Sequence, residues 1–396
     1  MKIAIFSDLF LPIIDGIVTS LEQLVLEFDR QGHEVFLVVP RVKGAPKKIG
    51  KNVIIYYLPS IPVIVHPTWH FSLISPRLIR TFKSFSPDVV QIATPANVGF
   101  MGIFLAKQQH LPLIGVFHTY FMKPEYLQVV GITRGMRFVE NLGWRFTQMV
   151  FGQCTIIISP AESVKKDLLA HKIKKEVVVC PNGLKINTNV YIESLHEKIK
   201  KRFKITPTKT FLYLGRLSKE KNLANLIKVF YLLHRKEPDA KLLIVGDGPI
   251  RRELEQLVLL YDIHQSVVFL GEIKHEDIFR LGIFKLARAF VTCSTSEVQP
   301  MSLIEGLFFG LPIIAPRSQG MVDLVDQGRN GFLVKPGALN SFVKVMQTVL
   351  IDDLLHKNMS VAAKEKSKFF TSKHSAEKYL QVFKRVIDES ATTTSV

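Results

Sequence analysis

Two glutamates eight positions apart, Glu297 and Glu305, bracket a proline. A strand pattern ends at Thr292, a polar loop carries Glu297, and Pro300 suits the first position of a new helix, where a fixed φ and a missing N–H cost nothing. The amides of Met301, Ser302 and Leu303 would then be free donors at the positive end of that helix, a ready place for a diphosphate. Glu305, one turn further in, can accept from ribose hydroxyls, and Glu297, on the loop, from sugar hydroxyls. Two glutamates at this spacing are by themselves as well explained as unrelated surface charges; the strand–loop–helix junction favours a site.

A second group is Gly215-Arg216-Leu217-Ser218-Lys219-Glu220-Lys221. Arg216 can grip an anion with a bidentate fork and Lys221 as a point charge. Fixed cations of this kind stabilise the charge that grows on a departing pyrophosphate without a metal. The bland reading is a solvated basic turn. Three weaker signals follow other strand patterns. Gly16, in Asp15-Gly16-Ile17, allows close backbone approach at a helix start. His118, in Phe117-His118-Thr119-Tyr120, can hydrogen-bond a sugar or phosphate, although a lone histidine is more often structural. Gly246-Asp247-Gly248-Pro249 reads as a tight turn, more structural than catalytic.

The elements that must position these residues are short apolar runs alternating with helical patterns. They are Ile3–Phe6, Val35–Val39, Val53–Leu58, Val89–Ile92, Leu113–Phe117, Thr155–Ile158 and Val177–Cys180, then Thr210–Leu214, Lys241–Val245, Val267–Leu270, Ala289–Thr292, Pro312–Ala315 and Phe332–Val334. Such alternation predicts parallel sheets with helices on both faces. A boundary is expected near Pro181-Asn182-Gly183, giving an N-terminal domain over 1–183 and a C-terminal one over 184–372, with a tail helix over about 373–396. Ligands of open parallel sheets bind beyond the carboxyl ends of the strands, so a cleft shared by the two sheets is the expected site.

The ordered set Gly16, His118, Gly215-Arg216 with Lys221, Gly246-Asp247-Gly248-Pro249, and Glu297 with Glu305 resembles the retaining GT-B glycosyltransferases of family 4 over nearly the whole chain. The Glu-x7-Glu element together with the Arg…Lys pair is specific; either alone is not. The resemblance implies an α/β GT-B fold, with two Rossmann-like doubly wound parallel-sheet domains facing across a cleft. It also implies a nucleotide diphosphate sugar donor, no obligatory metal or other cofactor, and a C-terminal helix that returns to the first domain. By analogy Arg216 and Lys221 bind the diphosphate, Glu305 the ribose and Glu297 the donor sugar, with His118 and the Gly16 loop completing the site. Phe117-His118-Thr119-Tyr120, Ser296-Glu297-Val298-Gln299 and Ser75-Pro76-Arg77 look most like the bacterial diacylglycerol glucosyltransferases and their mannosyltransferase relatives. Pro300 stands where glycine is usual and Gly306 where alanine is. Leu184-Lys185 replaces the usual hydrophobic-Asp pair, and Asp323 a common glutamate.

The net charge of +18 predicts attraction to polyanions. Helical spacing over 133–150 puts Arg134, Arg137, Asn141, Arg145 and Gln148 on one side and Phe138, Val139, Leu142, Phe146, Met149 and Val150 on the other. Over 76–85, Arg77, Arg80 and Lys83 oppose Leu78, Ile79 and Phe82. Interfacial helices look like this, and so does any helix covering a sheet. The excess of cations favours an anionic membrane surface and a lipid acceptor, with the apolar stretch from Ile61 through Trp69 to Phe71 as an acceptor-side loop or a buried connection. The expected location is the cytoplasmic face of a membrane, peripherally bound, since no run long enough to span a bilayer occurs. A soluble or polysaccharide acceptor is the rival. Nucleic acid is not expected as a partner, because no aromatic-basic binding motif is present. A Rossmann oxidoreductase is disfavoured because no G-x-G-x-x-G follows Phe6. Cys154, Cys180 and Cys293 have no metal-ligand spacing. Oligomeric state leaves no trace in the sequence.

Overall fold

The computed structural model describes residues 1–13, 15–63, 66–120, 136–186 and 190–394 of the 396, with the side chains of 66–69, 136–137 and 393–394 excepted. Two compact units emerge: Met1–Met122 with Gly135–Lys185 and Phe369–Val396, and Ile186–Lys368.

The first unit contains β1 (Lys2–Phe6), α1 (Gly16–Arg30), β2 (Glu34–Pro40), β3 (Val53–Leu58), β4 (Ser60–Val63), β5 (His66–Ser72) and α2 (Pro76–Phe85). It continues with β6 (Val89–Ile92), α3 (Asn97–Gln108), β7 (Leu113–Val116), α4 (Met136–Phe151), β8 (Ile156–Ser159), α5 (Glu162–Ala170) and β9 (Val177–Val179). Its seven-stranded sheet has the order β3-β2-β1-β6-β7-β8-β9, and every pair in it is parallel. The strands read as continuous apolar runs because helices cover both faces. Ile3, Ala4, Ile5 and Phe6 are wholly buried.

The second unit holds α6 (Glu193–Phe203), β10 (Thr210–Leu214), α7 (Leu223–His234), β11 (Lys241–Val245), α8 (Arg251–Leu260), β12 (Val267–Gly271) and α9 (His275–Arg280). After these come β13 (Ala289–Val291), α10 (Met301–Phe308), β14 (Ile313–Pro316), α11 (Met321–Leu324), β15 (Gly331–Val334), α12 (Leu339–Ile351) and α13 (Asp353–Ser367). The six-stranded parallel sheet has the order β12-β11-β10-β13-β14-β15. Both sheets are doubly wound: the chain moves outward from β1 or β10, then returns to the other side with β6 or β13. The crevice at each reversal is where such sheets bind ligands.

The last helix, α14 (Ser372–Thr394), belongs to the first unit. Ala376, Tyr379, Leu380, Phe383 and Val386 join Leu21, Leu24, Val25 and Phe28 of α1 in one core. The first unit also keeps Leu184 and gathers in Phe370–Ser372, because the Leu184 amide donates to Phe370 O (2.8 Å) and the Ser372 amide to Leu184 O (3.0 Å). Gly183 permits this crossing: a Cβ there would lie 2.5 Å from Thr371 O.

Two expectations are corrected. The stretch around Ile61–Phe71, read as a loop, contains an antiparallel pair, β4 with β5. Pro62 and Pro67 fit in this pair because a two-stranded ribbon has free edges where a missing N–H is tolerated. Trp69 falls in β5, its side chain outside the described residues. In α4 the expected apolar face is buried only in part, at Val150. Trp144, Thr147, Val150 and Phe151 are buried, whereas Phe138, Leu142 and Met149 are 74%, 56% and 54% exposed. The helix carries two apolar stripes. Gly115 and Trp144 select the inner one: a Cβ on Gly115 would meet the Phe151 ring at 2.7 Å, and the Trp144 indole stacks on His171 at 3.7 Å.

Candidate active site

In the second unit, three loops at the carboxyl ends of β10, β11 and β13 are tied into one floor. The Leu217 amide donates to Asp247 O (2.9 Å). The turn Gly246-Asp247-Gly248 lies directly on the Arg216 loop, and a Cβ on Gly246 would sit 2.0 Å from Gly215 O, one on Gly248 2.3 Å from Leu217 O. Glycine is required here by contact. The Asp247 carboxylate accepts from the Gly248 amide (2.7 Å) and from Arg251 (2.8 Å), which hold it below the usual carboxylate range. It is committed to the turn.

Lys221 ends a single 3₁₀ turn, Lys219–Lys221, and Asn222 follows in the left-handed region with φ 55°. The Asn222 amide group donates to Cys293 O (3.2 Å), fastening this turn to the chain leaving β13. Ser294 and Ser296 donate their hydroxyls to Glu220 O at 3.5 and 3.4 Å, and the Ser218 hydroxyl donates to the buried Glu220 carboxylate. The outcome is a direct ion pair: Lys221 Nζ lies 2.7 Å from Glu297 Oε1, with the two side chains only 19% and 15% exposed. Arg216 is exposed on the same loop. Its carbonyl accepts from the hydroxyl of Tyr213 (3.1 Å), whose phenol burial pushes well up. The Glu297-Val298 backbone is pressed by Gly320 (φ +75°), where a Cβ would lie 2.2 Å from Val298 O.

Four residues after Glu297, α10 begins. Pro300 precedes it with no side-chain cap, so the first-turn amides of Met301, Ser302 and Leu303 are left as donors. The first helical bond runs from the Ile304 amide to Pro300 O (3.3 Å). Glu305 is buried one turn on, its side chain 4% exposed, and its Oε1 meets His275 Nε2 at 2.6 Å. His275 opens α9 just beyond the edge strand β12. The sequence reading missed this histidine: thirty residues separate the two partners, and only the packing of α9 near α10 joins them. The one available signal was its place just beyond the carboxyl end of a strand, where ligands of parallel sheets bind.

In the first unit, Gly16 is the first residue of α1, capped by Asp15, whose carboxylate accepts from the Ile17 amide (2.8 Å). His118 lies two residues beyond β7 and is half-buried. Burial pushes its imidazole down to about 4, so it is neutral near pH 7. A second missed residue is Asp8. Its carboxylate accepts from the Thr94 hydroxyl (2.6 Å) and the Val98 amide (2.7 Å). It thereby caps α3, which lacks a cap of its own. Burial outweighs those bonds and raises the Asp8 carboxyl above the usual range. Among the expected surface residues, Arg77, Arg80 and Arg145 are exposed, on α2 and α4. Arg137 falls in α4 with its side chain outside the described residues, and Arg134 lies outside them altogether. Among the described residues no helix is long and apolar enough to cross a membrane.

Each unit carries the greater part of one known domain. Residues 14–188 match Glycosyltransferase Family 4, and 196–366 match Glycosyl transferases group 1. The chain is 28% identical over 338 residues to an alpha-monoglucosyldiacylglycerol synthase of Streptococcus pneumoniae, covering 84% of this chain and 75% of that one. It is 24% identical over 395 residues to the alpha-monoglucosyldiacylglycerol synthase of Acholeplasma laidlawii, covering 96% and 97%. Among solved structures, Anabaena HepE in complex with UDP superposes with a TM-score of 0.73 at 17% identity, over 97% of this chain and all of that one. With a family 4 domain followed by a group 1 domain on this architecture, the chain belongs to the GT-B glycosyltransferases.

Proposed function

We propose that the chain transfers a hexose, glucose in first place, from a UDP-sugar to a membrane lipid such as diacylglycerol, with retention at the anomeric carbon. The observation that carries the donor half is the Lys221–Glu297 pair at the β10/β13 reversal, four residues ahead of an uncapped helix start. A diphosphate arriving there exchanges Lys221's carboxylate partner for phosphate oxygens and leaves Glu297 free to accept from sugar hydroxyls. Arg216 and the first amides of α10 add positive potential on the leaving group. Buried Glu305, held by His275, accepts from the ribose. His118, neutral, hydrogen-bonds without adding charge. The leaving phosphate takes the acceptor's proton, and the cations carry the developing charge, so no metal is required.

The acceptor half draws on the two synthases to which the chain is similar and on one surface of the first unit. Phe138, Leu142 and Met149 of α4 and Phe104 of α3 are each more than half exposed. The Phe100 and Phe146 rings join the two helices at 6.0 Å. Leu73, just past β5, is 70% exposed, and the Ser72 amide donates to Asn97 of α3 (2.8 Å). An apolar area of this kind marks an interaction surface. With exposed Arg145 on the same helix and a net charge of +18 it suits an anionic bilayer, so we place the enzyme peripherally on a membrane face. The test is donor hydrolysis and transfer across UDP-, GDP- and ADP-sugars with and without diacylglycerol vesicles. Lipid-dependent turnover of UDP-glucose supports the reading; vesicle-independent transfer to soluble sugars overturns the lipid half.

A further inference from the structure

Strands β10, β11 and β12 run parallel, so the loops around Arg216 and Asp247 occupy one end of the second sheet and the starts of β11 and β12 the other. At that far end an opening of about 360 Å³ is lined by Arg202 and Lys204 from the end of α6, Lys241 at the start of β11, and His264 from the turn before β12. Phe203 and Phe269 form an apolar wall.

The charge balance here is one-sided. Among the described residues no carboxylate lies within ion-pairing distance of Arg202, Lys204 or Lys241. Two nearby acids are engaged elsewhere, Glu197 with Lys200 (2.7 Å) and Asp239 with Lys209 (2.5 Å), and the one acid that faces the lining, the exposed Asp262, lies 3.5 Å from His264. The negative end of α6 accounts for basic residues in its last turn, but Lys241 and His264 come from other elements. Lys241 is half-buried and gives one N–H to Gln265 O (2.9 Å). Burial and the charge of Lys204 depress its ammonium below the usual lysine range. Arg202 lies over the Phe203 ring at 5.1 Å, which steadies the guanidinium. Like charges held together beside a partly desolvated lysine cost free energy that a bound anion would recover.

We propose that this opening is a phosphate-group site separate from the sugar-donor site, taking the oxyanion of a free phosphate or of a phospholipid headgroup through Arg202, Lys204 and Lys241. The inference stands whether or not the donor reading above does.

The test uses the full chain. Inorganic phosphate is titrated against chloride at matched ionic strength, following the Lys241 ε-resonances by NMR. Vesicles of phosphatidylcholine with and without phosphatidylglycerol are compared in parallel by co-sedimentation. Arg202 and Lys204 are exposed, so Arg202→Glu and Lys204→Glu should fold; circular dichroism checks this. The expected result is that phosphate raises the Lys241 titration in the wild type and in Lys221→Ala, with at least tenfold weaker binding in Lys204→Glu. A response to inorganic phosphate identifies a free-phosphate site. A Lys204-dependent gain with phosphatidylglycerol alone identifies the headgroup. If neither phosphate nor anionic vesicles give an effect that depends on Arg202 or Lys204, or if Lys221→Ala alone abolishes the phosphate response, the proposal is wrong.

Discussion

Lys221 and Glu297 neutralise each other in a place only 19% and 15% exposed, so removing either unbalances the charge there. The two losses differ in kind. Lys221→Met removes a cation that meets growing charge in the transition state and should lower kcat/KM by about 10²–10³. Glu297→Gln keeps a hydrogen-bonding group and frees Lys221, so the loss should be smaller and fall mainly on the sugar, leaving UDP affinity unchanged or improved. Steady-state kinetics with UDP inhibition separates them; equal loss of UDP affinity in both variants would contradict the assignment. His118 gives a pH prediction. Its folded value of about 4 lies below the ordinary histidine value, so between these the unfolded chain binds the extra proton. Stability from this group is fully present above about pH 6.5 and is lost as pH falls towards 4. His118→Gln should therefore lose less Tm than the wild type between pH 7 and about 4.5. The meeting of Lys221 with Glu297 ahead of a helix start was legible because motif and strand order place them locally. His275 and Asp8 were not, because each finds its partner only through packing across distant sequence.

The strands were legible as apolar runs, since a parallel sheet covered on both faces demands such runs and little else produces them at this spacing. Helix orientation was harder. A helix with two apolar stripes has no single amphipathic answer, and in α4 the deciding contacts, Phe151 over Gly115 and Trp144 on His171, come from β7 and the end of α5. The outward stripe is a testable surface. Phe138→Ser with Leu142→Ser changes side chains that are 74% and 56% exposed. Stability should shift by no more than about 0.5 kcal/mol per site. Co-sedimentation with anionic vesicles should fall several-fold while hydrolysis of the donor in the absence of lipid is kept; unchanged vesicle binding would remove α4 from the membrane face. Asp8 acts at the same scale. Asp8→Ala leaves the Val98 amide at the start of α3 without its acceptor, a loss of about 1–3 kcal/mol that a denaturation midpoint would register.

The chain's last helix closes a fold begun at its first. Its residues Ala376, Tyr379, Leu380, Phe383 and Val386 are core for the first unit. Phe383 and Tyr379 meet the Phe28 ring of α1 at 5.7 and 6.5 Å. Ser372 donates its hydroxyl to the buried Glu27 (3.2 Å), linking the two helices at their polar end. A first unit made without residues 369–396 would therefore expose the apolar stripe of α1 and part of one sheet face. Among the described residues that core draws on none of the second unit, which has its own from Phe211 to Met359. Truncation after Lys368 should thus act selectively. Amide exchange should lose protection across β1, α1 and β2 while β10, β11 and α7 retain theirs, and calorimetry should lose one transition and keep another. Phe383→Ala is the graded version, costing about 3–5 kcal/mol through a cavity beneath α14. If the truncated chain kept full protection in β1 and α1, the helix would be an accessory to the first unit's core, and the contacts of Phe383 with Phe28 would carry far less than their burial implies.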